Sequence, residues 1–108
     1  MKKIENYIDG NIVSYSSKTQ KVYDPSTGDQ TAEVVLSNNE DFTKVLKSSE
    51  KSFINWANTT PLKRSRVISK FKEIIEKNIE ELAKIVSFEH GKTFEDSKGS
   101  VIRGLEVL

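Results

Sequence analysis

The sequence predicts an α+β fold in which two N-terminal β-hairpins precede about four helices. Three observations carry that expectation. Asp9-Gly10 stands between two short segments that end in apolar residues, and this dipeptide suits the positive φ angles of a two-residue hairpin turn. Asp24-Pro25-Ser26-Thr27-Gly28-Asp29 is a second turn-forming run, in which Pro fixes φ and Gly supplies a left-handed position. From Ser37 onward the apolar residues change to the spacing of a helix face.

Taken in order, the first hairpin pairs Asn6-Tyr7-Ile8 with Asn11-Ile12-Val13. The second pairs Gln20-Lys21-Val22-Tyr23 with Thr31-Ala32-Glu33-Val34-Val35-Leu36. Isolated hairpins are marginal in water, so both need a sheet or a helix layer to lean on. Ser37 followed by Glu40 reads as a capping box, after which Phe42, Val45, Leu46, Ser49, Phe53 and Trp56 share one face of a helix ending near Ala57. Thr60-Pro61 then supplies an N-cap and a proline at the first helical position, leading into a stripe of Val67, Ile68, Phe71, Ile74 and Ile75. A third helix starts at Asn78, buries Ile79, Leu82, Ala83 and Val86, and stops at His90 before Gly91. Thr93 caps a fourth, with Glu95 and Asp96 at its positive end. Gly99 and Gly104 each weaken a helix by about 1 kcal/mol relative to Ala, so both are expected to mark close packing against another element. The apolar pattern of Val101, Ile102, Leu105 and Leu108 continues to the last residue without a stop signal, and a truncated chain is expected.

Composition narrows the possible functions. A chain of 108 residues accommodates one domain at most, and with 35% hydrophobic and 31% charged residues its core is thin. Lys and Arg number 17 against 16 Asp and Glu, a balance unlike that of a dedicated nucleic-acid or membrane-surface binder. With no Cys there is no disulfide, thiolate metal site or Cys nucleophile, and the single His cannot build a His-based metal cluster. No apolar run is long enough to span a bilayer, and the N-terminus lacks the apolar segment of a signal peptide, so a cytoplasmic protein is expected.

Few residues invite a chemical reading. Lys63, Arg64, Arg66 and Lys70 cluster at the start of the second helix and could grip phosphate; interspersed acids and the lack of interleaved aromatics favour an ordinary solvated face. His90 beside Glu89 could be an oriented base, but its place before Gly91 suits a simpler interaction with the helix C-terminal dipole. Trp56 reads as a core or interface residue. No glycine-rich phosphate motif of the dinucleotide or P-loop type is present.

The ordered segments Tyr7-Ile8-Asp9-Gly10-Asn11, Asp24-Pro25-Ser26-Thr27-Gly28, Trp56, Arg66, Glu81-Leu82-Ala83 and Glu89-His90-Gly91-Lys92-Thr93 resemble the N-terminal part of the aldehyde dehydrogenase superfamily. The stretch Gly99-Ser100-Val101-Ile102-Arg103-Gly104-Leu105-Glu106-Val107 is similar to that of the methylmalonate-semialdehyde dehydrogenase branch, which is CoA-acylating. The resemblance implies that residues 1–108 are the N-terminal part of the NAD-binding domain of an α/β aldehyde dehydrogenase fold, with hairpins over 1–36 and helices over 37–108. It also implies truncation before the Rossmann core, with the catalytic and oligomerisation domains absent.

For the whole enzyme the resemblance implies oxidation of methylmalonate or malonate semialdehyde with NAD through a Cys thioacyl intermediate. Decarboxylation and transfer to CoA then give propionyl-CoA or acetyl-CoA. A homo-oligomer, a tetramer, is implied, with no nucleic-acid or membrane partner. The family's nucleophilic Cys, activating Glu, oxyanion-hole Asn and NAD-holding glycine turn have no counterparts in this sequence, so catalytic and metal-binding residues are none, NAD-contacting residues are unknown, and the fragment alone is expected to be inactive. One functional position does map. Arg103 matches the arginine expected to meet the substrate's carboxylate, a role suited to a planar guanidinium. Its competing reading is a surface ion pair with Glu106 at i+3. Another aldehyde dehydrogenase branch, or a small non-enzymatic α+β interaction module, would be the alternative to this reading of the whole chain.

Overall fold

The computed structural model describes residues 1–108 and contains five strands and four helices. The strands are β1 (Lys2–Ile4), β2 (Asn6–Ile8), β3 (Asn11–Val13), β4 (Thr19–Tyr23) and β5 (Gln30–Val35). The helices are α1 (Asn39–Asn58), α2 (Pro61–Lys77), α3 (Ile79–His90) and α4 (Phe94–Val107). The α+β order expected from the turns and the change of period is the order observed. The chain forms two compact units, Met1–Tyr23 with Gly28–Asn58 and Asp24–Thr27 with Thr59–Leu108. Packing thus joins α1 to the strands.

In the first unit β2 and β3 form the expected antiparallel hairpin, with Tyr7 opposite Ile12. Asp9 and Gly10 adopt φ of 51° and 77°, the pair of positive angles that a tight hairpin turn requires. The second predicted hairpin is also present, β4 pairing antiparallel with β5 and shifting register at Val22/Tyr23. The sheet has a third strand that local pattern does not announce. β1 lies parallel to β5, with Lys3 opposite Glu33, giving the order β1-β5-β4. Its three residues, Lys2-Lys3-Ile4, are too few for alternation to be read.

The start of α1 corrects the sequence reading. The cap is Asn38, whose Oδ1 accepts the N–H groups of Glu40 and Asp41, both at 3.0 Å. Asp41 Oδ2 returns the bond by accepting the Asn38 N–H at 2.9 Å, so the reciprocal box is Asn-x-x-Asp, one residue beyond Ser37 and Glu40. The Ser37 hydroxyl is engaged elsewhere, with the Asn6 side chain. Asp41 is buried, and so are Ile8, Ala32 and Val35. The apolar stripe of α1 remains open, with Phe42 62% and Trp56 42% exposed, so Trp56 is not a core residue here.

The second unit is helical. α2 begins as expected, Thr60 Oγ1 accepting the Lys63 N–H with Pro61 in the first turn. Asn78 stands between α2 and α3, its side chain donating back to the Ile74 carbonyl instead of capping α3. Gly91 closes α3 at φ 77°, its N–H bonded to the Ser87 carbonyl. A Cβ at Gly91 would lie 2.9 Å from Pro25 Cγ, so the glycine also admits the turn at residues 24–27 to the end of α3. That turn is set by Asp24 Oδ1, which accepts the Ser26 N–H at 2.7 Å. α3 and α4 pack together, and their completely buried residues, Ala83 and Ser97, are small enough for the two axes to approach. The expectation that Gly99 and Gly104 mark close packing is not met. A Cβ at Gly104 would meet nothing within 4 Å, and one at Gly99 would meet only the Arg103 guanidinium of the same helix at 3.6 Å.

Candidate functional site

The Arg103 site is built outward from the turn between α3 and α4. Gly91 leaves α3 in the left-handed conformation, and the next residue, Lys92, is held by its carbonyl, which accepts the Ser87 hydroxyl at 2.7 Å. Thr93 then caps α4, its Oγ1 accepting the Asp96 N–H at 3.2 Å. The helix so started carries Ser100 and, one turn later, Arg103. Arg103 Nη2 donates to Ser100 Oγ at 3.1 Å, and Lys92 Nζ donates to the same oxygen at 2.6 Å. The Ser100 hydroxyl in turn lies 3.2 Å from the Asp96 carbonyl, to which it donates. One hydroxyl therefore gathers an ammonium and a guanidinium.

Neither cation is neutralised by a carboxylate. The ion pairs of the chain are Lys3–Glu5, Lys70–Glu73 and Lys98–Glu80, so the alternative of an Arg103–Glu106 bridge is not realised. Lys98, also on α4, shows the contrast: its hydrogen bond to Glu80 and that carboxylate's charge push its pKa up. Arg103 is exposed, whereas Lys92 and Ser100 are half-buried. Such a pair of cations is suited to receiving a carboxylate or another small anion.

The other candidates resolve simply. Within the basic cluster on α2, Lys70 pairs with Glu73 at 2.8 Å and holds the Glu73 carboxyl below its usual range, as a mixed-sign solvated surface does. Arg66, Ser69, Lys70 and Glu73 line a shallow hollow there. His90 is exposed in the last turn of α3, the position its dipole reading requires. No three His, Cys, Asp or Glu side chains gather as metal ligands. No helix is long and apolar enough to cross a membrane. β5 runs into α1 through Leu36-Ser37-Asn38, which has no glycine, and the N–H groups of Glu40 and Asp41 in the first turn of α1 are taken by Asn38 Oδ1. The meeting of Lys92 with Arg103 at Ser100 was not legible in the sequence. The i,i+3 spacing of Ser100 and Arg103 was the one available signal.

The fold belongs to a known class. Residues 12–108 match the sequence model of the aldehyde dehydrogenase family, and the chain belongs to that family. Among its relatives, malonate-semialdehyde dehydrogenase 2 of Bacillus cereus (strain ZK / E33L) is 38% identical over 106 residues, which cover 97% of this chain and 22% of the relative. Malonate-semialdehyde dehydrogenase of Pseudomonas aeruginosa PAO1 is 35% identical over 106 residues, covering 98% of this chain and 21% of the relative. In structure, the chain superposes with a TM-score of 0.96 and 37% identity on a protein of Sinorhizobium meliloti 1021 assigned as methylmalonate-semialdehyde dehydrogenase and complexed with NAD. That match covers 99% of this chain and 22% of the other. The methylmalonate-semialdehyde dehydrogenase of Oceanimonas doudoroffii gives a TM-score of 0.94 at 33% identity, over 98% of this chain and 22% of the other. The chain thus spans about a fifth of the length of these relatives.

Proposed function

We propose that this chain is the N-terminal part of the NAD-binding domain of a CoA-acylating methylmalonate- or malonate-semialdehyde dehydrogenase, and that Arg103 binds the carboxylate of the semialdehyde. The observation that carries the Arg103 assignment is its exposed guanidinium, held by Ser100 and paired with no carboxylate. In the whole enzyme NAD is the hydride acceptor and CoA the acyl acceptor, and no residue of this chain is assigned to either. What this chain supplies is orientation. A semialdehyde gripped at its carboxylate presents its aldehyde carbon in one direction, which reduces the entropy lost on reaching the reactive geometry. The enzyme acts in the cytoplasm as a homo-oligomer, and the 108-residue chain alone performs none of the redox chemistry because it has no Cys.

The test is product analysis with the whole dehydrogenase that contains this segment. NADH formation from methylmalonate or malonate semialdehyde that depends on CoA and yields propionyl-CoA or acetyl-CoA is expected. Release of a free carboxylic acid irrespective of CoA would assign the chain to another branch of the family.

A further inference from the structure

Arg103 does not stand alone at its site. Its guanidinium and the Lys92 ammonium converge on Ser100 Oγ at 3.1 and 2.6 Å, so the two cationic nitrogens are held within a few ångströms of each other with no carboxylate between them. Two like charges at that separation repel, and the arrangement is relieved when an anion bridges them. Ser100 is suited to hold both because its hydroxyl is fully used: two lone pairs accept from the cations while its proton goes to the Asp96 carbonyl. The backbone also commits Lys92 to this position, through the left-handed Gly91 before it and the Ser87 hydroxyl on its carbonyl.

We propose that Ser100 is a positioning residue that aims Arg103 and Lys92 together, making a two-cation clamp in which Lys92 is a second binding residue for the substrate's carboxylate. The inference rests on the assignment of Arg103 to the semialdehyde carboxylate, and extends it to two residues to which that assignment gives no role. In such a clamp Arg103 contributes a planar pair of N–H donors and Lys92 a point charge. The shared hydroxyl fixes the angle between them, so a carboxylate can engage both at once.

The experiment uses the whole dehydrogenase with malonate semialdehyde and with propanal, an uncharged aldehyde. Ser100→Ala keeps good helix propensity and removes the hydroxyl. It is expected to raise KM for malonate semialdehyde about 3- to 10-fold while leaving kcat, and KM for propanal, unchanged. Ser100→Thr, which restores a hydroxyl, should recover most of the loss. Lys92→Met should raise KM for malonate semialdehyde about 10-fold, again sparing propanal. Added to the double variant Arg103→Leu with Lys92→Met, Ser100→Ala should cost little more, because it acts through the two cations it holds. Equal losses on both substrates, no loss on either, or an undiminished effect of Ser100→Ala when both Arg103 and Lys92 have been replaced would overturn the clamp. If Arg103→Leu discriminates between the substrates and the Ser100 and Lys92 variants do not, the clamp alone fails; if Arg103→Leu does not discriminate, the carboxylate assignment falls and the clamp with it.

Discussion

The carboxylate of Asp41 accepts the backbone N–H of Tyr15 at 2.8 Å, across 26 residues of chain. The same carboxylate accepts the N–H groups of Ser16 and Asn38 and the side-chain amide of Asn6, so it ties the start of α1 to the strands while being itself 99% removed from solvent. Hydrogen bonds from the Asn38 and Tyr15 backbones, with those of Ser16 and Asn6, hold its pKa below the usual carboxylate value against the opposing effect of burial.

Asp41 therefore makes the stability of its unit sensitive to acid. A carboxylate whose folded pKa is depressed contributes stability that is complete above the unfolded value, about 3.9, and is lost as pH falls through the folded value. Thermal melts of wild type should lose stability below about pH 4, and Asp41→Asn should be less stable at neutral pH with a shallower loss on acidification. Parallel pH profiles for the two proteins would show that the Asp41 charge is not what the fold uses.

The reciprocal cap predicts a cost at Asn38 as well. Asn38→Ala removes the acceptor of two N–H groups and should cost about 1 kcal/mol, whereas Asn38→Ser should recover much of it. Ser37→Ala, which leaves the box intact, is expected to cost less in the same chemical denaturation series.

Two glycines should respond in opposite directions to alanine. Gly91→Ala forces a Cβ into the left-handed region, at about 1–2 kcal/mol, and the Cβ would stand 2.9 Å from Pro25. Gly104→Ala, inside α4 with open space beyond it, should stabilise the 108-residue chain by about 1 kcal/mol. Urea titration of both variants is the measurement, and a gain at Gly91 would contradict the turn described here.

Arg103→Leu in the whole enzyme should damage methylmalonate semialdehyde turnover far more than propanal turnover. Loss of a charge-assisted hydrogen-bonded pair is worth about 1.5–3 kcal/mol, so kcat/KM for the charged substrate should fall about 10- to 100-fold. Arg103→Lys should restore only part, since an ammonium lacks the guanidinium's fork. Equal loss on both substrates would make Arg103 a structural residue.

The 108-residue chain on its own should self-associate. Phe42, Phe53 and Phe71 are each more than half exposed, on the apolar stripes of α1 and α2. Sedimentation should show concentration-dependent association and melts should be broad. A monodisperse monomer with a sharp cooperative transition would show that these faces do not drive contacts.

What the sequence by itself determined was every feature whose energetics close within one turn of chain. Asp9-Gly10 makes its hairpin, Thr60-Pro61 and Thr93 start their helices and Gly91 ends one, because the cap or the φ angle is decided by neighbours a few residues away. The family resemblance was legible for the same reason, as short ordered motifs. Tertiary structure alone decided the rest. β1 becomes a strand because β5, some thirty residues later, offers it a parallel edge. The cap of α1 falls on Asn38 instead of Ser37 because Asn6 engages the Ser37 hydroxyl and the Asp41 carboxylate is completed by donors from residues 6, 15 and 16. Lys92 joins Arg103 because the Gly91 turn carries its side chain to a helix that begins two residues later. In each case the deciding free energy lies in groups that only folding brings together, so no local pattern encodes it.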